Sequence, residues 1–382
     1  MQKNTVTVID IGSSGITAAA VENGLNNTFV IKGFSRQNYA GFSEGEFFDR
    51  TELEGVLRTC LKQVRFGTKN TAETVYVGVP GEFTTVVLKE HQIAFNKSRK
   101  ITENELNELY DTGYTLKSQR YCIINRSGVV FTLDDTRKTA DPVGETSKLL
   151  RGTLSYVLCD KYFTDTITPF LKKCGVENVE YVSGPLAEAL YLFPPETRDR
   201  TAVLADVGYI TTSFSVIQGD AVIYQKGFPY GGGYITAMFT EFFNIDPDIA
   251  EKLKRKVNLS LASNDEIYKI VDGDEEYAFP AEKVNEIVFA SLDELCENIE
   301  YCLTDSRFAV PDYVPLSLTG GGIGFIRGAK EHISKRLNLV VETLSPRLPN
   351  MNKPTDSSLA ALMKLALSQP VKKQSFFKKL FK

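Results

Sequence analysis

The feature that most limits what this chain can become is a pattern that occurs twice. Residues 5–10, Thr-Val-Thr-Val-Ile-Asp, are rich in β-branched side chains and run into Gly12, and residues 201–206, Thr-Ala-Val-Leu-Ala-Asp, run likewise into Gly208. Two further strand-like stretches follow in each place, at 16–21 and 28–34 and again at 212–217 and 221–228, parted by turn residues such as Gly219-Asp220. Asp10-Ile11-Gly12 matches Asp206-Val207-Gly208, and Lys32-Gly33-Phe34 matches Lys226-Gly227-Phe228. An acid, an apolar residue and a glycine at the same strand end, similarly spaced from the same tripeptide, predict a duplicated, two-half architecture.

Length agrees, since 382 residues exceed what one hydrophobic core usually serves. A content of 42% hydrophobic and 24% charged residues excludes a disordered, collagen-like or fibrous chain. The net charge of -4 leaves no global basic field, so nucleic acid is not an expected partner. Six cysteines, at 60, 122, 159, 174, 296 and 302, form no Cys-x-x-Cys pair, and only His91 and His332 are there to assist them, so neither a zinc cluster nor a disulfide framework is expected. Residues 1–11 alternate like a strand and lack the apolar core of a signal peptide, and no run reaches about 20 apolar residues. A cytoplasmic chain that neither is secreted nor spans a membrane is the expectation.

Between the two meanders, residues 51–65 put Leu53, Val56, Leu57 and Leu61 on one helical face, and a strand at 74–79 completes a first βββαβ unit. Strands at 84–88 and 129–133 surround a helix opened by Thr102 with Glu105 as a capping box, which marks a candidate inserted subdomain. A strand at 152–158, a helix at 160–173 and a strand at 179–182 follow, the last two rejoining the first half. Helices are predicted at 235–243, 249–257 and 281–303, a strand at 314–318, and a short helix at 359–367 after the prolines of 345–358.

The loops carry the chemistry. A strand ending in Asp10 and turning through Gly12-Ser13-Ser14 sets a carboxylate beside backbone amides, and Asp206-Val207-Gly208 with Thr211 and Thr212 supplies a second such loop. Glycines let backbone approach phosphate oxygens, hydroxyls donate hydrogen bonds, and Asp10 and Asp206 would hold a hydrated Mg²⁺ through its waters. One Asp-x-Gly merely ends a strand. Two, joined by the triglycine runs Gly231 to Gly233 and Gly320 to Gly322, point to nucleotide binding between facing loops.

These residues resemble the actin-like ATPases and, among them, the FtsA family of bacterial cell-division proteins, along essentially the whole chain. Asp10-Ile11-Gly12-Ser13-Ser14 is similar to the first phosphate motif, and Gly231-Gly232-Gly233-Tyr234-Ile235-Thr236 to the Gly-Gly-x-x-Ile-Thr loop. Asp141-Pro142-Val143-Gly144 resembles the Asp-Pro-Val-Gly of the FtsA insertion, which ordinary actins and chaperone ATPases lack. Ala250-Glu251-Lys252-Leu253-Lys254 is similar to the Ala-Glu-x-x-Lys helix, where Glu251 and Lys254 would meet ribose and adenine; without the resemblance they read equally as a solvated face. Leu318-Thr319-Gly320-Gly321-Gly322 resembles the adenosine motif, or else is a tight strand-to-helix turn.

The resemblance implies an α/β, actin-like ATPase fold with two duplicated βββαβα halves, inserted subdomains and a C-terminal amphipathic helix. Residues 1–81, 160–199 and 356–368 would form the first half (subdomain 1A) and 82–159 the insertion (1C). Residues 200–230 and 311–345 would form the second half (2A), 231–310 subdomain 2B, and 369–382 a linker and membrane-targeting helix. Two departures bear on turnover. In the second phosphate motif Tyr209-Ile210 replace two glycines and Ser213 the last aspartate. Where hydrolysing relatives carry an acid before a proline, Ser183-Gly184-Pro185-Leu186-Ala187 offers none, so ATP binding is expected with weak or absent hydrolysis. Glu188, one helical turn on, is a candidate substitute, though an exposed helix glutamate is the simpler reading. No catalytic residue is assigned.

Residues 371–382 hold five lysines and no acid. Wound as a helix, Phe376, Phe377, Leu380 and Phe381 share one arc, with Lys378, Lys379 and Lys382 opposite, as in a segment lying in an anionic membrane interface. Burying each large apolar side chain gains roughly 1.5–3 kcal/mol, and each lysine near anionic lipid about 1, before ordering costs. One tail is a marginal anchor, and polymerised tails gain about 10²-fold or more in avidity. A basic end without fixed structure, or a helix docking on protein, is the plainer alternative. The resemblance implies FtsZ as a partner through its C-terminal tail, self-assembly into filaments, later division proteins, and a peripheral site on the cytoplasmic face of the membrane at the septum. A pilus-assembly scaffold of related fold and a small-molecule kinase of the superfamily are the rival readings.

Overall fold

The computed structural model describes residues 5–24, 28–66, 74–260, 266–306, 310–311 and 313–369. The expected membrane-binding residues Phe376, Phe377, Lys378, Lys379, Leu380, Phe381 and Lys382 lie outside the described residues.

The predicted duplication is present as two five-stranded sheets of one topology. In the first, strands Asn178–Ser183, Thr74–Val79 and Val6–Ile11 run parallel, followed by Gly15–Asn23 and Phe29–Asn38 in antiparallel succession. In the second, Val341–Thr343, Leu316–Thr319 and Ala202–Val207 run parallel, followed antiparallel by Thr212–Gln218 and Ala221–Phe228. Register makes the equivalence residue by residue. Asp10 is paired with Thr17 on one side and Gly78 on the other, and Asp206 with Ser213 and Thr319. Both central strands are buried on both faces and read as near-continuous apolar runs.

Each half is covered by helices whose apolar spacing was legible. Arg50–Phe66 buries Leu53, Leu57, Cys60, Leu61 and Val64 against the first sheet. Ser357–Ser368 buries Leu359, Leu362 and Met363 on the opposite face, beside Gly184–Leu192. The 25-residue helix Ala281–Asp305 buries Val284, Val288, Leu292, Leu295 and Ile299 in the core of the second half. Each such side chain contributes roughly 1.5–3 kcal/mol of burial, an upper estimate because unfolded chains already bury some surface.

The insertion differs from expectation in extent. Its strands are Thr84–Lys100, Tyr121–Leu133 and Thr146–Asp160, far longer than the apolar cores at 84–88, 129–133 and 152–158. The ends were missed because residues 89–100 are mostly polar and only one face of that ribbon is covered, by helix Glu103–Gly113. The predicted capping box is there, with Thr102 as N-cap and Glu105 reaching back to it. Hairpin Ile267–Asp272 with Glu275–Pro280, helix Ala329–Leu337 and the three-residue strand Val341–Thr343 were not anticipated. All six cysteines are free thiols. No described helix is long and apolar enough to cross a membrane.

Candidate functional site

The carboxyl ends of the two central strands face one another across a cavity of about 320 Å³. Its walls include the loop Gly12 to Ser14 from one half and Gly208, Tyr209 and Thr211 from the other, with Asp10 and Asp206 at the strand ends. The two loops are one turn repeated: the Gly12 amide donates to the Gly15 carbonyl at 2.9 Å, and the Gly208 amide to the Thr211 carbonyl at 2.9 Å. The Ile210 amide donates to Ser13 Oγ at 3.0 Å, which stitches loop to loop. Thr212 stands apart, fully buried, with its hydroxyl donating to the Tyr230 carbonyl at 2.6 Å.

The triglycine runs divide by role. Gly320 and Gly321 line the cavity; Gly320, at φ 92°, adopts the left-handed backbone that glycine favours and lies against the Asp206 carboxylate. Gly231, Gly232, Gly233 and Gly322 instead brace the second loop from behind. The Gly232 amide donates to the Gly208 carbonyl at 2.9 Å, Gly233 to Tyr209 at 2.6 Å, and Gly322 to Val207 at 2.8 Å. A Cβ on Gly232 would sit 2.6 Å from Gly322 Cα and overlap the Gly322 carbonyl.

Glu251 faces the cavity, whereas Lys254 is 1% exposed, which overturns the solvated-face reading. Lys254 Nζ donates to the Gly232 carbonyl at 2.8 Å, pairs with Glu251 at 2.7 Å, and stands 4.8 Å from the centre of the Tyr209 ring. Burial lowers the Lys254 ammonium below its usual range, and Glu251 restrains the fall. Burial pushes Glu251 up, but Lys254 beside it prevails and holds it below the ordinary carboxyl range. Glu251 also accepts from Thr236 Oγ1 at 2.8 Å and Arg255 Nε at 3.0 Å. The tyrosine that departs from the glycine motif therefore roofs a buried cation, with its ring against Gly233.

Glu188 joins Asp10, Asp206 and Glu251 among the carboxylates that line the cavity. Glu188 is 2% exposed, so the simpler reading of an exposed helix residue is corrected. Neighbouring Leu186 and Ala189 pack on the second half and Ala187 on the first, so this turn of Gly184–Leu192 is enclosed from both sides. Oε1 of Glu188 is buried without a hydrogen-bond partner among the described residues. Burial first, then the charges of Asp206 and Asp10, push Glu188 well above the usual range; burial and Asp10 raise Asp206. Burial also raises Asp10, offset in part by the Ser358 hydroxyl, which donates to Oδ1 at 2.6 Å, and by Arg36. Among the described residues no three His, Cys, Asp or Glu are placed to ligate an ion directly. The set fits a cation held through its own water shell, which such a concentration of buried negative charge favours.

A raised folded-state pKa gives stability that is fully present below the unfolded carboxyl pKa and lost as pH rises towards the folded one. Glu188→Gln removes that loss. In chelator, the melting temperatures of the variant and parent are expected to converge near pH 5 and to separate at pH 8, the variant being more stable by about 1–2 kcal/mol. Parallel curves would show that Glu188 does not titrate in this way.

Residues not anticipated also line the site, notably Arg36, Asn38 and Ser358. Register held the signal for Arg36: Asp10 pairs with Thr17, and Thr17 with Arg36, so the three lie in a row across adjacent strands. Arg36 Nε donates to Thr17 Oγ1 at 3.2 Å.

Two copies of one sheet, with one turn repeated at the same strand position, make this the fold of the actin-like ATPases. The PilM-PilN type IV pilus biogenesis complex is similar over 96% of this chain and 100% of that chain, with TM-score 0.63 and 16% identity. MreB5 of Spiroplasma citri bound to ADP is similar over 94% and 95%, with TM-score 0.54 and 12% identity. Within this class, the particular resemblance along the chain is to the cell division protein FtsA. FtsA of Buchnera aphidicola subsp. Baizongia pistaciae is 20% identical over 364 residues, 92% of this chain and 86% of that protein. FtsA of Pseudomonas aeruginosa is 19% identical over 85% and 78%, and that of Escherichia coli K12 18% over 73% and 65%, just under two thirds of its length. The family described as type IV pilus assembly protein PilM matches residues 179–359.

Proposed function

We infer that this chain is an ATP-binding, actin-like protein of bacterial cell division that polymerises and tethers FtsZ filaments to the cytoplasmic face of the membrane at the septum, where later division proteins join. The observation that carries the reading is the FtsA likeness over 92% of the chain. The two-loop cavity supports nucleotide binding, as does a neighbouring fold described as bound to ADP. Gly12, Ser13, Ser14, Gly208 and Thr211 would meet the phosphates, and Gly320, Gly321 and Glu251 the adenosine end. Thr212, Lys254, Gly322 and Gly231 to Gly233 would support that surface from behind. Asp10 and Asp206 would hold a hydrated Mg²⁺ through its waters; when bound, the ion would offset phosphate charge. Turnover would be weak or absent, because Ser183-Gly184-Pro185 offers no acid before the proline.

The tail proposal rests on sequence: five lysines interleaved with Phe376, Phe377, Leu380 and Phe381. Co-sedimentation with anionic and neutral vesicles, using the intact chain and a version ending at Pro370, with and without Mg-ATP, tests it. Tail-dependent pelleting strengthened by ATP and anionic lipid is expected. Equal pelleting of the two versions removes the tail as anchor.

The second reading, a pilus-assembly scaffold, is favoured by the PilM match to residues 179–359. Binding of an FtsZ C-terminal peptide by the intact chain separates the two, since a scaffold for pilus assembly has no use for it.

A further inference from the structure

We propose that Glu188 is a third carboxylate of a hydrated divalent-cation site in this cavity, acting with Asp10 and Asp206 to hold the cation's water shell. The inference rests on the nucleotide reading for the phosphates that would share the cation, and not for capture of the cation itself.

Helical spacing brings Glu188 to the place where an acid is missing. Gly184 and Glu188 are one turn apart on Gly184–Leu192, so they share a face, and both line the cavity. Gly184 has no side chain to offer, and Glu188 reaches the same space from one turn further along. Ser183 fixes the start of the helix as N-cap, its Oγ accepting from the Leu186 amide at 3.2 Å, so the turn that carries Glu188 is held in position.

Charge balance supplies the second argument. Asp10 has the Ser358 hydroxyl and the field of Arg36, but Oε1 of Glu188 is buried and has no hydrogen-bond donor among the described residues. A buried acid so placed is costly unless something positive or proton-donating completes it. Water bound to a dication does both, because its protons point outward to acceptors. A hydrated ion also explains how Asp10, Glu188 and Asp206 can share one cavity when, among the described residues, no three acids are placed together for direct ligation.

The test uses the full-length chain with Mn²⁺ in place of Mg²⁺, and free Mn²⁺ is read by electron paramagnetic resonance. Binding of a fluorescent ATP analogue is measured separately in EDTA, and folding by circular dichroism. Glu188→Gln is expected to weaken Mn²⁺ binding by about tenfold or more, and a smaller loss overturns the proposal; analogue binding in EDTA should not fall with it, since removing an acid beside phosphates does not weaken their binding. Glu188→Asp keeps the charge and should bind Mn²⁺ more tightly than Glu188→Gln, and the reverse order also overturns it. Glu294→Gln, exposed on Ala281–Asp305, should bind like the parent; an equal loss there would mean bulk charge alone is at work, which refutes a specific site. If the parent binds Mn²⁺ but no nucleotide, the cation site stands and the nucleotide reading falls. If it binds nucleotide but no Mn²⁺, the cation site falls alone.

Discussion

Gly232→Ala is expected to destabilise the protein by about 3 kcal/mol in denaturant melts and to lower ATP affinity by about a hundredfold. The added methyl would lie 2.6 Å from Gly322 Cα and collide with the Gly322 carbonyl, so backbone must move on one side or the other. Either movement strains three contacts at once: Gly232 amide to Gly208 carbonyl, Gly322 amide to Val207 carbonyl, and Lys254 Nζ to Gly232 carbonyl. Those contacts set the height of the loop that meets Ser13 at the cavity, and a shift of about 1 Å is enough to misalign the proposed phosphate donors. Gly55→Ala is the matched control. Gly55 lies in helix Arg50–Phe66 with no atom within 4 Å of an added Cβ, so this substitution should stabilise by about 0.5–1 kcal/mol and leave ATP binding alone. Equal behaviour of the two variants would show that the close packing of Gly232 on Gly322 does not matter.

The halves were legible because their defining residues are local. A β-branched run closed by Asp-x-Gly announces a strand end whatever lies around it, and two of them announce a repeat. The helices were legible for a similar reason, since Leu53, Leu57 and Leu61 show their spacing without reference to the sheet they cover. What escaped is whatever the other half decides. Glu188 carries no local mark of burial, and its enclosure comes from the packing of its helix between the two halves, with Asp206 and Asp10 brought near by the fold. Lys254 sits in a run, Glu251 to Lys256, that composition reads as solvated, yet Tyr209 and Gly232 cover it. Hairpin Ile267–Asp272 with Glu275–Pro280 was missed although Asp272-Gly273 is a turn signal and Gly273 has φ 61°. Its apolar Ile267 and Val271 face solvent, so the usual inward alternation gives little help.

The departures from the motifs that the sequence resembles gain a physical meaning from the same arrangement. Tyr209 takes a glycine's place in the loop from Gly208 to Thr211, proposed above to meet phosphate, and its ring covers Lys254 and packs on Gly233. The loop is therefore stiffened by side-chain packing as well as by the turn between Gly208 and Thr211. Tyr209→Gly, which restores the motif residue, would uncover the buried ammonium and loosen that support, so a closer motif match need not bring a better site.

Lys254→Met tests that arrangement directly. Methionine keeps the apolar stem and removes the charge, leaving the Gly232 carbonyl without its lysine donor and Glu251 with only Arg255 and Thr236. Removing one partner of a buried, hydrogen-bonded pair is strongly destabilising, and about 3 kcal/mol is expected here. A lysine on a solvated face would cost less than about 0.5 kcal/mol. The double variant Lys254→Met with Glu251→Gln separates loss of the pair from loss of packing. If the penalty comes from the uncompensated carboxylate, the double variant should be more stable than the sum of the single changes by roughly 1 kcal/mol or more. Strict additivity would instead assign the whole effect to the Gly232 carbonyl and the Tyr209 ring, and would make Lys254 a brace of the phosphate loop rather than the partner of Glu251.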